Sequence, residues 1–81
     1  MEKLHLKSIP EIQKLIRNKN NHIKRLETEL KALIEKSGNN PDLYHETQIA
    51  LTKVHIANLK AEITICEKEI SDREITLLQK Q

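Results

Sequence analysis

The sequence of 81 residues contains no Phe or Trp, one Gly, one Cys, one Tyr and two Pro. So few Gly and Pro residues cannot supply the many tight turns of a β-sandwich or β-barrel. The lone Cys66 excludes an internal disulfide and fits a reducing compartment. No stretch approaches the roughly 20 apolar residues of a membrane-spanning helix, and the first ten residues lack the apolar core of a signal peptide. We therefore expect a cytoplasmic protein with one small domain.

Leu and Ile, eleven of each, make up most of the apolar residues that are present, and they occur with abundant Lys and Glu. This composition is typical of long amphipathic helices. The formal charge is +2, from 14 Lys and Arg against 12 Asp and Glu, and so small an excess does not favour a nucleic-acid or membrane partner. The composition predicts an all-α protein.

A cluster of turn-forming residues, Ser37-Gly38-Asn39-Asn40-Pro41, divides the chain. Gly38 suits the left-handed conformation that ends a helix, Asn40 suits the cap of the next helix, and Pro41 suits its first position. Such a short connection forces two helices to lie antiparallel. We therefore predict an antiparallel two-helix hairpin as a single domain over 1–81, with helix 1 at about 9–36, the turn at 37–40 and helix 2 at about 41–78.

Helix 1 has a clear start and one apolar seam. Ser8-Ile9-Pro10-Glu11 matches a capping box, in which the Ser8 hydroxyl and the Glu11 carboxylate each satisfy a free N–H group. After Ile9 the apolar residues recur at alternating steps of three and four, and only Lys19 interrupts the pattern. The seam consists of Ile9, Ile12, Ile16, Ile23, Leu26, Leu30 and Leu33.

Helix 2 carries two apolar stripes, which implies two neighbours. We interpret them as separated by roughly a third of a turn, with one stripe on helix 1 and the other on a partner chain, and the sequence leaves open which is which. The large stripe contains Ile49, Ile56, Leu59, Ile63, Cys66, Ile70 and Leu77; the small stripe contains Leu43, Thr47, Ala50, Val54, Ala57 and Ala61. The candidate partner-binding residues are Leu43, Tyr44, Ala50, Val54, Ala57 and Ala61, or alternatively Ile49, Ile56, Leu59, Ile63 and Ile70.

The lengths of the two helices also indicate dependence on a partner. Helix 2 outruns helix 1 by about ten residues, so its C-terminal part needs cover from Leu4 and Leu6 or from another chain. A single helix–helix seam offsets little of the conformational entropy lost on folding. We expect a dimer, a larger bundle or a heterocomplex. Tyr44, the only aromatic residue apart from histidines, is expected either to cover the hairpin end or to anchor the partner.

No pattern in the sequence indicates catalysis, a metal or a cofactor. The four His residues lack the i, i+4 spacing of helical metal ligands, and one Gly cannot form a glycine-rich phosphate loop. Cys66 is interpreted as a small core residue. We expect no enzyme activity. Helix 1 carries a basic belt, interpreted mainly as a solvated face, with an acidic protein or a nucleic acid as less favoured ligands; it consists of Lys14, Arg17, Lys19, Lys24 and Arg25.

The order of helix, Gly/Asn turn, Pro41-Asp42-Leu43-Tyr44 and long apolar helix resembles the small cytosolic co-chaperones of type III secretion needle subunits, over residues of about 20–70. The resemblance implies a hairpin that binds a helical-repeat chaperone and, with it, keeps the needle subunit soluble and unpolymerised before export. Leu43 departs from the Gln usual in that family. When the chain is alone, we expect self-association.

Three alternatives remain open at this stage. The needle subunit itself is also similar to a hairpin of this size with an Asn-Pro turn, but this chain lacks a Trp near its start and ends in the polar Gln79-Lys80-Gln81. A homodimeric four-helix bundle that binds RNA through Arg17 and Arg25 is a second alternative. A coiled-coil scaffold without a specific client is the third.

Overall fold

The computed structural model describes residues 4–38 and 42–79. It contains a short 3-10 helix at Leu4–Leu6, helix α1 at Ile9–Ser37 and helix α2 at Leu43–Gln79. The two long helices pack along each other in a rod of 61 × 17 × 16 Å. Cross-helix contacts pair early residues of α1 with late residues of α2, as in the Lys19–Glu62 ion pair, so the helices are antiparallel. The predicted all-α hairpin is confirmed.

The start of α1 follows from its capping residues. Ser8 has extended backbone angles (φ −73°, ψ 161°), and its Oγ accepts the Glu11 N–H at 3.3 Å. The Ser8 hydroxyl in turn donates to the Glu11 carboxylate at 3.1 Å. The serine half of the predicted capping box is thus present, whereas the Glu11 carboxylate accepts from the Ser8 hydroxyl and not from a backbone N–H group as we expected.

The connection between the helices differs from the prediction in both halves. α1 ends at Ser37, and Gly38 donates its N–H to the Ile34 carbonyl at 3.3 Å, but its backbone angles (φ +54°, ψ −138°) lie outside the left-handed helical region that we expected. α2 begins at Leu43 rather than at 41, because the Asp42 carboxylate accepts the His45 N–H at 2.8 Å and so provides the cap that we assigned to Asn40. Asn40 and Pro41 lie outside the described residues.

The large stripe of α2 packs against the seam of α1. Ile12 and Cys66, at 0% and 2% exposed, are buried beside a hydrophobic cluster contributed by both helices. The prediction that Cys66 is a core residue is therefore confirmed. Ile49 and Ile70, towards the two ends of the large stripe, are half-buried. The cluster itself consists of Ile23, Leu26, Ile56, Leu59 and Ile63, with Ile16 and Leu30 packed against it.

The small stripe lies on the opposite side of α2, which corrects the expected separation of a third of a turn. Each helical residue rotates by about 100°, so Val54 and Ile56, two residues apart, point about 160° away from each other. Accordingly Ile56 is buried and Val54 is exposed. The large stripe contacts α1, and the small stripe contacts no other part of the described hairpin.

The N-terminal segment covers part of the overhanging end of α2. Arg73, which occupies a position of the large stripe, donates its guanidinium N–H groups to the carbonyls of Lys7 and Leu4 and to the Glu69 carboxylate. Leu4 is half-buried by this arrangement, whereas Leu6 is 71% exposed. The expected cover is therefore supplied by Leu4 and not by Leu6. The outermost turns of α2 remain open to solvent, with Leu77 57% and Leu78 70% exposed.

Candidate partner-binding face

The two helices differ in how their solvent-facing sides are built. α1 is amphipathic: its seam faces α2, and the residues opposite that seam are polar apart from Pro10 and Ala32. α2 is apolar on two opposite sides, one buried on α1 and one in solvent. The hairpin as a whole is therefore amphipathic, with a polar surface on α1 and an apolar surface on α2. An apolar helix face of this length in solvent is a candidate interaction surface.

The exposed side of α2, which we call the outer face, is wider than the small stripe predicted from sequence. Leu51 and Ile65, exposed by 58% and 44%, widen the stripe along one flank. Sequence reasoning missed both, although each follows a residue of the small stripe by four positions and so shares its side of the helix. The outer face consists of Leu43, Thr47, Ala50, Leu51, Val54, Ala57, Ala61 and Ile65.

The structure separates the two sets of candidate partner-binding residues. Ile56, Leu59 and Ile63 are buried against α1, and Ile49 and Ile70 are half-buried at the ends of the same contact. These five therefore serve the hairpin itself. The other set is exposed throughout and shares the outer face or its border: Leu43, Tyr44, Ala50, Val54, Ala57 and Ala61.

Tyr44 stands at the start of the outer face. Its ring is edge-on to the His45 ring, with centroids 5.6 Å apart, and the residue is 67% exposed. Most of its ring is therefore in solvent, and the turn residues 39–41 that it was expected to cover lie outside the described residues. A large aromatic side chain held in solvent at the end of an apolar face is typical of an interface anchor.

One flank of the hairpin carries polar contacts between the helices. The Lys19 Nζ donates to the Glu62 carboxylate at 2.6 Å, and this hydrogen bond lowers the pKa of Glu62 below its ordinary value of 4.5, with Coulombic attraction to Lys19 and His55 acting in the same direction. The His22 and His55 rings meet edge-to-face at a centroid distance of 4.9 Å. These contacts align α1 on α2, and none of them involves a residue of the outer face.

Metal, membrane and nucleic-acid sites have less support among the described residues. Across residues 4–38 and 42–79, no three metal-ligating side chains converge, and neither long helix has an apolar stretch able to cross a membrane. In the basic belt, Lys19 is engaged by Glu62, and the side chains of Lys14, Arg17, Lys24 and Arg25 are exposed on α1. The belt therefore lies on a different surface from the outer face.

No protein-family model matches the chain, and neither a curated protein nor a solved structure shows significant similarity to it. The hairpin's own surfaces are thus the basis for inferring its function.

Proposed function

We propose that the protein is a helical-hairpin binding module that docks the outer face of α2 on a partner protein, and that it acts as a type III secretion co-chaperone. In this role it binds a helical-repeat chaperone and helps to keep the needle subunit soluble and unpolymerised. The observation that carries the proposal is the second apolar side of α2, which α1 leaves in solvent while it buries the large stripe.

The chemistry of the outer face supports a helical partner. Its centre is built from Ala50, Ala57 and Ala61, whose small side chains allow another helix to approach closely. Larger apolar groups lie at its N-terminal end and along one flank, among them Leu43 and Leu51, and these can fill the spaces between side chains of a neighbouring helix. Binding would bury apolar area that the free hairpin exposes, and this burial is the source of affinity.

The resemblance in the Pro41-Asp42-Leu43-Tyr44 segment supports the specific role. In needle co-chaperones the hairpin binds a helical-repeat chaperone, and a groove lined by helices is complementary to a long apolar helix face. Tyr44 and Leu43, at the start of the outer face, are both more than 60% exposed. We assign to them the first contacts with the chaperone.

Co-expression with a helical-repeat secretion chaperone tests the proposal. The expected result is a soluble 1:1 complex that forms with the native chain and is lost in the variant Ala57→Asp, because a carboxylate would be desolvated in the middle of the docked face. Ala32→Asp is the matched control: Ala32 is also exposed, but it lies on α1 away from the outer face. We expect this control variant to bind like the native chain.

Two results would contradict the proposal. If the native chain captures neither a secretion chaperone nor a chaperone–needle pair in co-expression, the co-chaperone role is wrong. If Ala32→Asp disrupts a complex that Ala57→Asp leaves intact, the partner binds α1 and the assignment of the outer face is wrong. Circular dichroism of both variants checks that the hairpin is folded in each case.

A further inference from the structure

Two of the four histidines meet across the hairpin, although no two of them have the i, i+4 spacing of ligands on one helix. The rings of His22 on α1 and His55 on α2 have centroids 4.9 Å apart and planes at 86° to each other. His5 lies apart from them in the short 3-10 helix, and His45 contacts Asp42 at the start of α2. The fold therefore brings together a pair of imidazoles that spacing along the chain does not reveal.

The separation of the two rings matches that of two imidazoles bound to one metal ion. Zinc lies about 2.0–2.1 Å from an imidazole nitrogen, which places it about 3.2 Å from the centre of the ring. Two such rings, at a nitrogen–metal–nitrogen angle of about 90–109°, have centres about 4.5–5.2 Å apart. The observed 4.9 Å lies within this range, so the helices need not move for both rings to reach one ion.

Both rings can turn towards an ion. Within the described part of the chain, neither His22 nor His55 takes part in a hydrogen bond or ion pair, and they contact each other edge-to-face. His55 is exposed and His22 is half-buried. Rotation about the Cβ–Cγ bonds can therefore direct one nitrogen of each ring to a common point, where solvent supplies the remaining ligands.

The backbone that carries the two histidines is fixed by the core. His22 immediately precedes Ile23, and His55 immediately precedes Ile56. Both isoleucines belong to the hydrophobic cluster and are only 7% and 8% exposed. Ligands on packed helices are already close to their binding geometry and lose little freedom when they bind. An ion held by both rings would join α1 to α2.

The charges beside the pair are mixed in sign. Lys19, three residues before His22, is bonded to the Glu62 carboxylate at 2.6 Å, and the attraction between Glu62 and His55 contributes to the lowered pKa of that carboxyl. Arg25, three residues after His22, is exposed and can extend into solvent. Imidazole nitrogens and not an acidic cluster therefore define the site, which favours Zn²⁺, Cu²⁺ or Ni²⁺ over Ca²⁺ and Mg²⁺.

We propose that His22 and His55 bind one divalent transition-metal ion, such as Zn²⁺, and that the bound ion clamps α1 to α2. With two protein ligands, the site is weaker than a structural zinc site that has four. Because metal binding to the folded chain adds to its stability, the clamp makes the hairpin more stable when the ion is present. This inference is independent of the proposed function.

Urea unfolding with Zn²⁺ and with EDTA tests the site. An ion that binds only the folded chain should lower the unfolding equilibrium constant about tenfold when its free concentration is about ten times its Kd. H5Q/H45Q keeps only the proposed ligands and should respond like the native chain. His22→Gln and His55→Gln should each lose the response, and Mg²⁺ should have no effect on the native chain. Comparison of each variant with itself in EDTA removes any effect of the substitution on folding.

Nuclear magnetic resonance of the folded chain identifies the ligands directly. As Zn²⁺ is added up to one ion per chain, the Cε1–H signals of His22 and His55 should shift together, and those of His5 and His45 should stay in place. A native chain that does not respond to about 1 mM Zn²⁺ would overturn the proposal. A response that survives in His22→Gln or His55→Gln, or that disappears in H5Q/H45Q, would also overturn it. Saturation at one ion per two chains would mean that the ion joins two molecules, which would refute the clamp within one hairpin.

Discussion

The Lys19 ammonium and the Glu62 carboxylate are 2.6 Å apart across the two helices, at the one position where a charged residue interrupts the apolar seam of α1. Lys19 keeps its stem along the seam and carries its charged end to the flank, where it meets Glu62. The side chains are 20% and 43% exposed, respectively. The pair therefore aligns the helices and, because it remains partly hydrated, contributes little stability.

We predict that the hairpin loses stability in acid and that Glu62 accounts for part of the loss. The pKa of Glu62 is lower in the folded chain than its ordinary value of 4.5, because of the hydrogen bond from Lys19. Its contribution is therefore complete above pH 4.5 and is lost as the pH falls through the lowered pKa. Glu62→Gln should cost less than about 1 kcal/mol at neutral pH and progressively less below pH 4.5.

Urea unfolding followed by circular dichroism at neutral and acidic pH checks this prediction. Asp42 adds a second contribution of the same sign, because the His45 N–H lowers the pKa of its carboxyl below the ordinary value of 3.8. Glu29→Gln, an exposed change on α1, is the control. A Glu62→Gln deficit that stays constant down to the lowest pH would show that the Lys19 pair is not its cause.

Two nearby positions on α2 should lose very different amounts of stability when their side chains are truncated. Ile56→Ala removes a side chain that is 8% exposed in the core cluster and should cost about 2–4 kcal/mol. Val54→Ala, at 56% exposed, should change the free energy of unfolding by less than about 0.5 kcal/mol. Chemical denaturation of both variants at the same low protein concentration compares the two. Similar losses for both variants would contradict the placement of the small stripe in solvent.

Much of the fold could be predicted from sequence because it depends on local signals. Ser8 with Glu11 marks the start of α1 and Gly38 marks its end, through backbone groups only a few residues away. The start of α2 was misplaced because Asn40 and Asp42 are both good capping residues, and only the geometry shows that Asp42 accepts the His45 N–H. Local patterns thus predict which helices form. Competition between similar capping residues limits how accurately the helix boundaries can be predicted.

The candidate site was harder to predict because it is defined by what α1 leaves uncovered. Either stripe of α2 can pack on a helix, so their sequences alone do not show which one is buried. The partners of Lys19 and Arg73 lie 43 residues or more away along the chain, which local patterns do not connect. The placement of Val54 and Ile56 on opposite sides of α2, by contrast, could have been predicted from the sequence, because each residue of an α-helix rotates by about 100° around the axis.

Gly38 is predicted to tolerate a D-amino acid better than an L-amino acid. Its backbone angles (φ +54°, ψ −138°) are the mirror image of the polyproline II region, which L-residues rarely adopt. A Cβ placed there meets nothing within 4 Å, so any cost is conformational. L-Ala at 38 should destabilise the hairpin by about 1–2 kcal/mol, whereas D-Ala, introduced by chemical synthesis, should match or exceed the stability of Gly. Equal destabilisation by both enantiomers would point to steric conflict instead.

Arg73 should control the order of the N-terminal segment without setting the stability of the whole hairpin. Its guanidinium group serves two backbone carbonyls and one carboxylate, an arrangement that a single ammonium group cannot reproduce. In Arg73→Lys we therefore expect the amide of Lys7, which donates to the Leu4 carbonyl at 2.9 Å, to exchange its hydrogen about tenfold faster, in line with the loss of about 1.4 kcal/mol of local hydrogen bonding. Arg25→Lys, on the exposed side of α1, should leave this exchange rate unchanged. Unaltered protection of Lys7 in Arg73→Lys would mean that the packing of Leu4, and not the guanidinium group, holds the segment on α2.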